Sequence, residues 1–208
     1  DAAGPDAMAL RARTLSLCRD YAAAAGLYRT LTASHPDVLP WRLAGAQAYA
    51  LSGRGAEASA LLAPVAPDGL SPRLRVFHRK IASLAAMAAG DADGALEAAR
   101  RAVDEALRLG EPEQETEAYQ NLIGIHYRRG EIAEALRLAD LAVAAGDRGR
   151  SLRWRYEARQ FRIALRVLDD RPVSQAELDA LASVARSTGD IYREGSVALI
   201  FANERYRR

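Results

Sequence analysis

The most unusual charge pattern in this sequence is a set of arginines in its C-terminal half. They fall at positions i, i+4, i+7 and i+11 and are Arg155, Arg159, Arg162 and Arg166. On a helix these positions share one face, so we call the set the arginine stripe. Like charges at this spacing repel one another, and Glu157 is the only acidic residue within the span. The stripe therefore predicts an anion, supplied by another helix or by a partner.

The other reactive side chains give no indication of catalysis. The histidines His35, His78 and His126 lie in different segments, and His126 occupies a packing position. The sequence contains no phosphate-binding loop, nucleophile elbow, dinucleotide-binding turn or metal-binding histidine helix. Cys18 is the only cysteine, which excludes an intramolecular disulfide and a cysteine zinc site. We expect no catalytic residue, no metal and no cofactor, and a small packing contact as the role of Cys18, with redox use as the alternative.

The composition predicts helices. Half of the residues are hydrophobic but only 6% are aromatic, and alanine and leucine dominate the apolar share. Valine and isoleucine occur singly within helical patterns, so we expect no sheet.

Charge and hydropathy limit the class of partner. The net charge of +2 argues against nucleic acid, which usually selects a strong basic excess. Among the 29 basic residues only Lys80 is a lysine, which indicates a high-GC bacterial genome. No apolar run approaches the ~18 residues of a membrane span, so we expect no membrane contact and a cytoplasmic location.

The chain contains four helix-turn-helix units with the same internal spacing. Each unit has packing residues in both helices: Ala12, Leu15, Ala24 and Tyr28; Ala46, Tyr49, Ala58 and Leu62; Ser83, Ala86, Ala95 and Ala99; Ile123, His126, Ala135 and Ala139. The predicted turns are Arg19-Asp20, Gly53-Arg54, Gly90-Asp91 and Gly130-Glu131. Two helices approach closely only where side chains are small, which explains the recurring alanines.

These residues resemble the tetratricopeptide repeat (TPR) over roughly residues 5–145. Successive turn-facing alanines, Ala24, Ala58, Ala95 and Ala135, are 34, 37 and 40 residues apart. The later repeats are therefore longer than the usual spacing of about 34. This stretched form is similar to the arrays attached to large bacterial transcription activators and signalling ATPases.

The sequence thus predicts one all-α domain over residues 1–208, a right-handed α-solenoid of about five helical hairpins plus a C-terminal capping helix. The hairpins are expected at about 5–36, 37–68, 70–109, 112–145 and 148–188, with the cap at 190–207. In the fifth hairpin, Ser174 with Glu177 predicts a capping box. An apolar helix face is also predicted there from Trp154, Ala158, Phe161, Leu165 and Leu168.

The resemblance implies a concave groove, lined by the first helix of each hairpin, that binds a protein or peptide. Carried over position by position, the groove residues are Gln47, Lys80, Leu84, Gln120, Tyr127, Arg128, Arg155, Arg159 and Arg162. This polar and basic set favours an acidic or extended partner segment.

Several alternatives stay open at the level of sequence. The arginine stripe can instead form an internally paired face with Glu113, Glu115, Glu117 and Asp140. The array can be the regulatory arm of a larger bacterial transcription regulator or signalling protein, since it is stretched and lacks an initiator methionine. Direct binding of nucleic acid by the stripe is a third interpretation. A homodimer through the last helix is a further one, because of Tyr192, Ile200 and Phe201.

Overall fold

The chain is α-helical in the computed structural model, which describes residues 4–190, 193 and 195–197. Ten α-helices and one short 3-10 helix can be bounded within these residues, and none of the described residues forms a β-strand. The elements are α1 (Pro5–Leu17), α2 (Tyr21–Ser34), α3 (Leu39–Leu51), α4 (Gly55–Leu62), the 3-10 helix (Pro67–Gly69), α5 (Pro72–Ala88), α6 (Ala92–Leu109), α7 (Pro112–Arg128), α8 (Ile132–Arg148), α9 (Leu152–Leu168) and α10 (Gln175–Thr188).

The predicted all-α fold of about five helical hairpins is confirmed. The hairpins are α1–α2, α3–α4, α5–α6, α7–α8 and α9–α10, and the two helices of each pack against one another. The predicted cap at 190–207 falls almost wholly outside the described residues, as do Tyr192, Ile200 and Phe201.

The chain divides into two compact units, residues 1–109 and 110–208. In the first unit, α3 packs against α2, α4 and α5 as well as contacting α1. In the second unit, α9 packs against both helices of the preceding hairpin and against α10. The single domain expected from the sequence stays a prediction.

Small residues allow the helices of the first unit to approach closely. The alanines of the repeat pattern, Ala12, Ala24, Ala46 and Ala58, are fully buried. Tyr28 and Tyr49 lie one turn further along their helices and fill the space beside these alanines in the same core.

Gly55, where α4 begins, lies directly against the backbone at the end of α5. A Cβ atom at this position would lie 2.3 Å from the backbone nitrogen of Ala89 and 2.5 Å from the carbonyl oxygen of Ala85. Backbone atoms cannot move aside as a flexible side chain can. The contact between α4 and the end of α5 therefore requires glycine at position 55.

All five hairpins use the same turn after their first helix. The residue at its centre has a positive φ and is Arg19, Gly53, Gly90, Gly130 or Asp170. The next residue then donates its N–H to the carbonyl five positions earlier, as from Arg54 to Tyr49 at 2.9 Å and from Arg171 to Arg166 at 2.8 Å. This is the Schellman arrangement, which satisfies carbonyl groups at the end of a helix. The four predicted turns lie at these positions, and Asp170-Arg171 adds a fifth.

The apolar face predicted for α9 is wrong in part. Ala158 and Leu165 are buried, but the side chain of Phe161 is 40% exposed and that of Leu168 is 61% exposed. The residues that α9 buries instead are Tyr156 and Ile163.

The reason is the position of α10. Tyr156 and Ile163 form a core with Leu178 and Leu181 of α10 and with Val173 of the connecting segment. The periodicity of α9 alone does not show on which side the following helix packs, so the sequence favours the face with Trp154 and Phe161 over the one that α10 covers.

His78 is a buried polar residue without a partner. It lies on α5 with 6% of its surface exposed, and neither ring nitrogen has a hydrogen-bond partner among the described residues. Burial, with a smaller contribution from the nearby charge of Arg79, lowers the pKa of His78 below its usual 6.5. The imidazole is therefore held in its neutral form by the fold.

None of the helices in the described part of the chain is both long and apolar enough to cross a membrane.

We expect the free energy of unfolding to decrease as the pH falls below about 6.5. The pKa of His78 is lower in the folded chain than in the unfolded chain, so the unfolded chain binds the proton more readily. Urea titrations of the wild type and of His78→Leu at pH 7.5, 6.5 and 5.5 measure this. The wild type should lose stability more steeply than the variant over this range. Parallel pH profiles for the two proteins would contradict the assignment.

Arg19→Gly should stabilise the protein. A non-glycine residue at positive φ costs about 1–2 kcal/mol, and the greater freedom of glycine in the unfolded chain offsets about half of this. We expect a gain of about 0.5–1 kcal/mol in urea denaturation followed by circular dichroism. The matched change in the reverse direction, Gly53→Ala, should lose a similar amount, and a loss of stability in Arg19→Gly would show that its turn is not strained.

Candidate functional site

The arginine stripe lies on α9, between the carboxylates of α8 and those of α10. Ser151 caps the start of α9 by accepting a hydrogen bond from the backbone N–H of Trp154 at 3.4 Å. The four guanidiniums of the stripe pair with three carboxylates, which belong to Asp140, Asp147 and Glu177.

Asp147, in the last turn of α8, holds the first half of the stripe. Its carboxylate lies 2.7 Å from Nη1 of Arg159 and accepts a hydrogen bond from Nη2 at 2.9 Å. Arg155 approaches the same carboxylate at 3.7 Å and donates to the carbonyl oxygen of Gly149 at 3.0 Å. Two guanidiniums therefore share one anion at the C-terminal end of α8, where the helix dipole also favours cations.

Glu177, in the first turn of α10, holds the second half of the stripe. Its carboxylate lies 3.2 Å from Arg162 and 2.8 Å from Arg166. The same group accepts hydrogen bonds from the backbone N–H of Ser174 at 3.0 Å and from its hydroxyl at 2.8 Å, which confirms the predicted capping box. One carboxylate therefore starts α10 and ties it to α9.

The protonation of Glu177 reflects opposing influences. Burial raises the pKa of its carboxyl, but the hydrogen bonds from Ser174 and the charges of Arg166 and Arg162 outweigh burial, so the pKa lies below its ordinary value of 4.5. The side chain is 14% exposed, and it remains ionised throughout the neutral range.

Asp140 forms the most exposed pair of the stripe. Its carboxylate lies 3.4 Å from Nη1 of Arg162, and its side chain is 69% exposed. The Nε atoms of Arg155 and Arg162 are shielded from solvent and have no hydrogen-bond partner among the described residues. The stripe thus has four cations for three anions and retains unused donors.

Two acidic residues of α7, Glu113 and Glu115, make contacts other than the ones predicted for them. Glu113 accepts hydrogen bonds from the backbone N–H groups of Arg150, at 3.0 Å, and Ser151, at 3.3 Å. Glu115 pairs with Arg148. Both carboxylates hold the connection between α8 and α9, whereas Asp140 contacts the stripe as predicted.

The groove residues predicted on α7 share its less buried face. Gln120 is partly exposed, Tyr127 is 42% exposed and Arg128 is exposed. The side-chain nitrogens of Gln120 and of the adjacent Asn121 are shielded from solvent and lack hydrogen-bond partners among the described residues. We call Gln120, Asn121, Tyr127 and Arg128 the α7 polar face.

The remaining predicted groove residues lie in the first unit and are Gln47, Lys80 and Leu84. Gln47 on α3 is partly exposed. Lys80 on α5 is only 5% exposed, and its ammonium lies 5.2 Å from the centre of the Phe77 ring. Leu84 packs against the core of this unit. Because it is buried, Lys80 has little surface for contact with another molecule.

Sequence reasoning missed Asp147 and Glu177 as partners of the stripe. The sequence does contain an indication of Glu177 as a partner, because a capping box shortly after α9 places its carboxylate near the end of that helix. It also contains one of Asp147, which follows Asp140 by two helical turns and therefore lies on the same face of α8.

The described residues contain no cluster of histidine, cysteine, aspartate or glutamate suited to a metal ion.

Cys18 is exposed with a free thiol, which does not support the predicted packing contact. His126 is 4% exposed, as its packing position predicts, and its Nδ1 lies 2.5 Å from Glu131 at the turn into α8.

Replacing Glu177 by alanine should cost about 2–3 kcal/mol of unfolding free energy, because it leaves Arg162, Arg166 and the backbone of Ser174 without an acceptor. The matched control is Glu134→Ala, which removes an exposed pair within α8 and should change stability by at most about 0.5 kcal/mol. Because the pKa of Glu177 is lowered, its contribution is present above pH 4.5 and is lost as the pH falls. Equal losses in the two variants at pH 7 would contradict its role.

Comparison with known proteins supports the architecture. No protein-family model matches the sequence, and no curated protein matches it. Among solved structures, it is similar to the nearly identical TPR-like repeats of a Podosopora anserina protein assigned as a kinesin light chain, with a TM-score of 0.62 and 18% identity, covering 87% of this chain and 94% of that one. A glutamine-to-methionine variant of those repeats matches at 0.62 and 17% identity, over 91% of this chain and all of the other. The chain therefore has a TPR-like helical-repeat fold.

Proposed function

We propose that the chain is a protein-interaction module that binds an acidic, extended segment of another protein on its C-terminal unit. Helical-repeat proteins commonly bind other chains on the extended concave surfaces that stacked repeats create. The observation that carries the proposal is the excess of positive charge on this unit: Arg128 of the α7 polar face is exposed, and the four guanidiniums of the arginine stripe share three carboxylates.

The α7 polar face supplies donors of two kinds. The amide nitrogens of Gln120 and Asn121 lack acceptors among the described residues, and the carbonyl groups of an extended peptide can provide them after a side-chain rotation. Arg128 is exposed and forms no ion pair with any residue that the structure describes. Tyr127 beside it adds an exposed aromatic ring for an apolar contact.

The arginines of the stripe differ in how available they are. Arg159 is tightly held by Asp147 and is 16% exposed, so it contributes mainly positive potential. Arg162 is 23% exposed and has its long pair with the exposed Asp140, so a carboxylate of a partner can displace Asp140 at little cost. Arg155 has a similar position at the other end, where its Nε lies 3.7 Å from the carboxylate of Asp147, too far for a hydrogen bond.

These features favour an acidic peptide over nucleic acid. Carboxylates can accept two parallel hydrogen bonds from a guanidinium, and arginine and amide donors are what this surface has in excess. Nucleic acid would need a longer run of unpaired cations with aromatic rings between them. On this surface each stripe arginine is instead already close to a carboxylate.

The test is the affinity of fluorescein-labelled peptides rich in glutamate and aspartate, measured by fluorescence anisotropy. Arg128→Ala and Arg162→Ala should each weaken binding by about five- to tenfold, the loss of one charge-assisted hydrogen bond. The double variant Arg159→Ala/Arg162→Ala tests the stripe as a whole. Arg137→Ala is the matched control, since this arginine is 59% exposed on α8 and paired within its own helix.

Unchanged affinity in Arg128→Ala and in the stripe double variant would remove the proposed surface. Equal binding of peptides in which glutamine and asparagine replace the acids would remove the acidic partner. Preferential binding of single-stranded nucleic acid, with affinity that falls steeply with salt, would favour the alternative class of partner.

A further inference from the structure

The sequence contains two Asp-Gly pairs, Asp68-Gly69 and Asp93-Gly94. An Asp-Gly pair can react with itself, because glycine has no side chain to shield its backbone nitrogen from the carboxyl group of the preceding aspartate. The reaction requires the backbone ψ of the aspartate to rotate away from its helical value. The fold therefore decides which of the two pairs can react.

Asp68-Gly69 lies in the 3-10 helix between α4 and α5. Both residues are exposed, and no residue of this short helix is buried. A Cβ atom added to Gly69 would have no atom within 4 Å, so this side of the glycine faces open space. The carboxylate of Asp68 forms no hydrogen bond or ion pair with any residue that the structure describes.

Few interactions hold this segment in its helical conformation. The N–H of Gly69 donates to the carbonyl oxygen of Ala66 at 3.2 Å, and the N–H of Leu70 donates to that of Pro67 at 3.0 Å. Hydrogen bonds of this i→i+3 type have poorer geometry than those of an α-helix. Rotation at Asp68 therefore breaks two weak hydrogen bonds and uncovers no buried residue of the 3-10 helix.

Asp93-Gly94 is held more firmly, in the first turn of α6. The N–H of Gly94 donates to the carboxylate of Asp91 at 2.8 Å, and the N–H of Ala95 donates to the carbonyl oxygen of Asp91 at 3.0 Å. Ala95 is the turn-facing alanine of its repeat and is fully buried. Rotation at Asp93 would therefore break the cap of α6 and displace Ala95 from its buried position.

We propose that Asp68-Gly69 is a site of isoaspartate formation and that the fold protects Asp93-Gly94 from the same reaction. The backbone nitrogen of Gly69 forms a bond to Cγ of Asp68, and the hydroxyl of the protonated carboxyl leaves with the amide proton as water. The product is a five-membered cyclic imide. Water then opens the imide at the side-chain carbonyl, which restores aspartate, or at the main-chain carbonyl, which gives isoaspartate. One water is lost and one is gained, so the mass is unchanged.

The modification alters the connection between the second and third hairpins. In isoaspartate the main chain runs through the side-chain carbons of residue 68, so it is one carbon longer and carries the free carboxylate on Cα. This site lies in the first unit. It is therefore additional to the binding surface proposed on the C-terminal unit and does not depend on it.

Uptake of oxygen-18 from labelled water measures the reaction, because each passage through the imide adds one labelled oxygen. The folded protein is kept for several weeks at 37 °C and neutral pH. Trypsin then separates Asp68 from Asp93, in peptides 55–73 and 81–100. Electron-transfer fragmentation in the mass spectrometer locates the label and distinguishes isoaspartate from aspartate. Residue 68 should carry at least about tenfold more label than residue 93, close to the effect of losing one helix cap.

Variants that keep the charge test the assignment. Asp68→Glu should abolish labelling at residue 68, because glutamate would have to close a six-membered ring. The matched control, Asp93→Glu, should leave labelling at residue 68 unchanged. Gly69→Ala should slow the reaction several-fold by shielding the nitrogen, and the open space around Gly69 accepts the methyl group.

The same incubation in concentrated guanidinium chloride separates the effect of the fold from that of the sequence. The unfolded chain should be labelled at residues 68 and 93 at similar rates. Equal labelling of the two residues in the folded protein would overturn the proposal. An unlabelled residue 68 in the folded protein, over a time in which the unfolded chain reacts, would also overturn it. Circular dichroism of the variants checks that their helices are intact.

Discussion

The structure depends on how closely two antiparallel helices can approach one another. Fully buried alanines recur at the helix contacts of both units, and Gly55 marks a place where even a methyl group does not fit. Close approach brings many atoms into contact without large side chains, which explains how a chain with 6% aromatic residues builds a packed core. The shared Schellman turn also favours close packing. It ends the first helix and reverses the chain within a few residues, so that the second helix packs against the first.

The arginine stripe shows how this packing positions charge. Because α9 packs between α8 and α10, the side of α9 that meets both helices receives the carboxylates of Asp147 and Glu177. These pairs are partly shielded from water and include hydrogen bonds to the backbone, unlike the exposed pairs within single helices. Repulsion among the four guanidiniums is thereby relieved by tertiary contacts that are absent from an isolated helix.

Much of this fold could be predicted from local patterns. Alanine spacing and turn residues identified the hairpins, and Ser174 with Glu177 identified the start of α10, because each of these signals is contained in a few neighbouring residues. The faces of α9 could not be predicted in the same way. Phe161 and Tyr156 are both aromatic, and only the position of α10 decides that Tyr156 is buried and Phe161 exposed. The carboxylates that pair with the stripe depend on the same tertiary contact. The sequence therefore predicts that the stripe needs anions, but it does not identify Asp147 and Glu177 as those anions.

The double attachment of Glu177 links the last hairpin to the electrostatic character of the helix before it. The carboxylate that starts α10 also neutralises Arg162 and Arg166, so the first turn of α10 cannot unwind without releasing both guanidiniums. Local unfolding at this point therefore changes the surface potential of α9 as well as its packing. With α10 closed, α9 presents a nearly balanced face, whereas with α10 open the same helix becomes a cationic one. A binding partner that prefers either charge state also shifts the folding equilibrium of the hairpin by the same free energy.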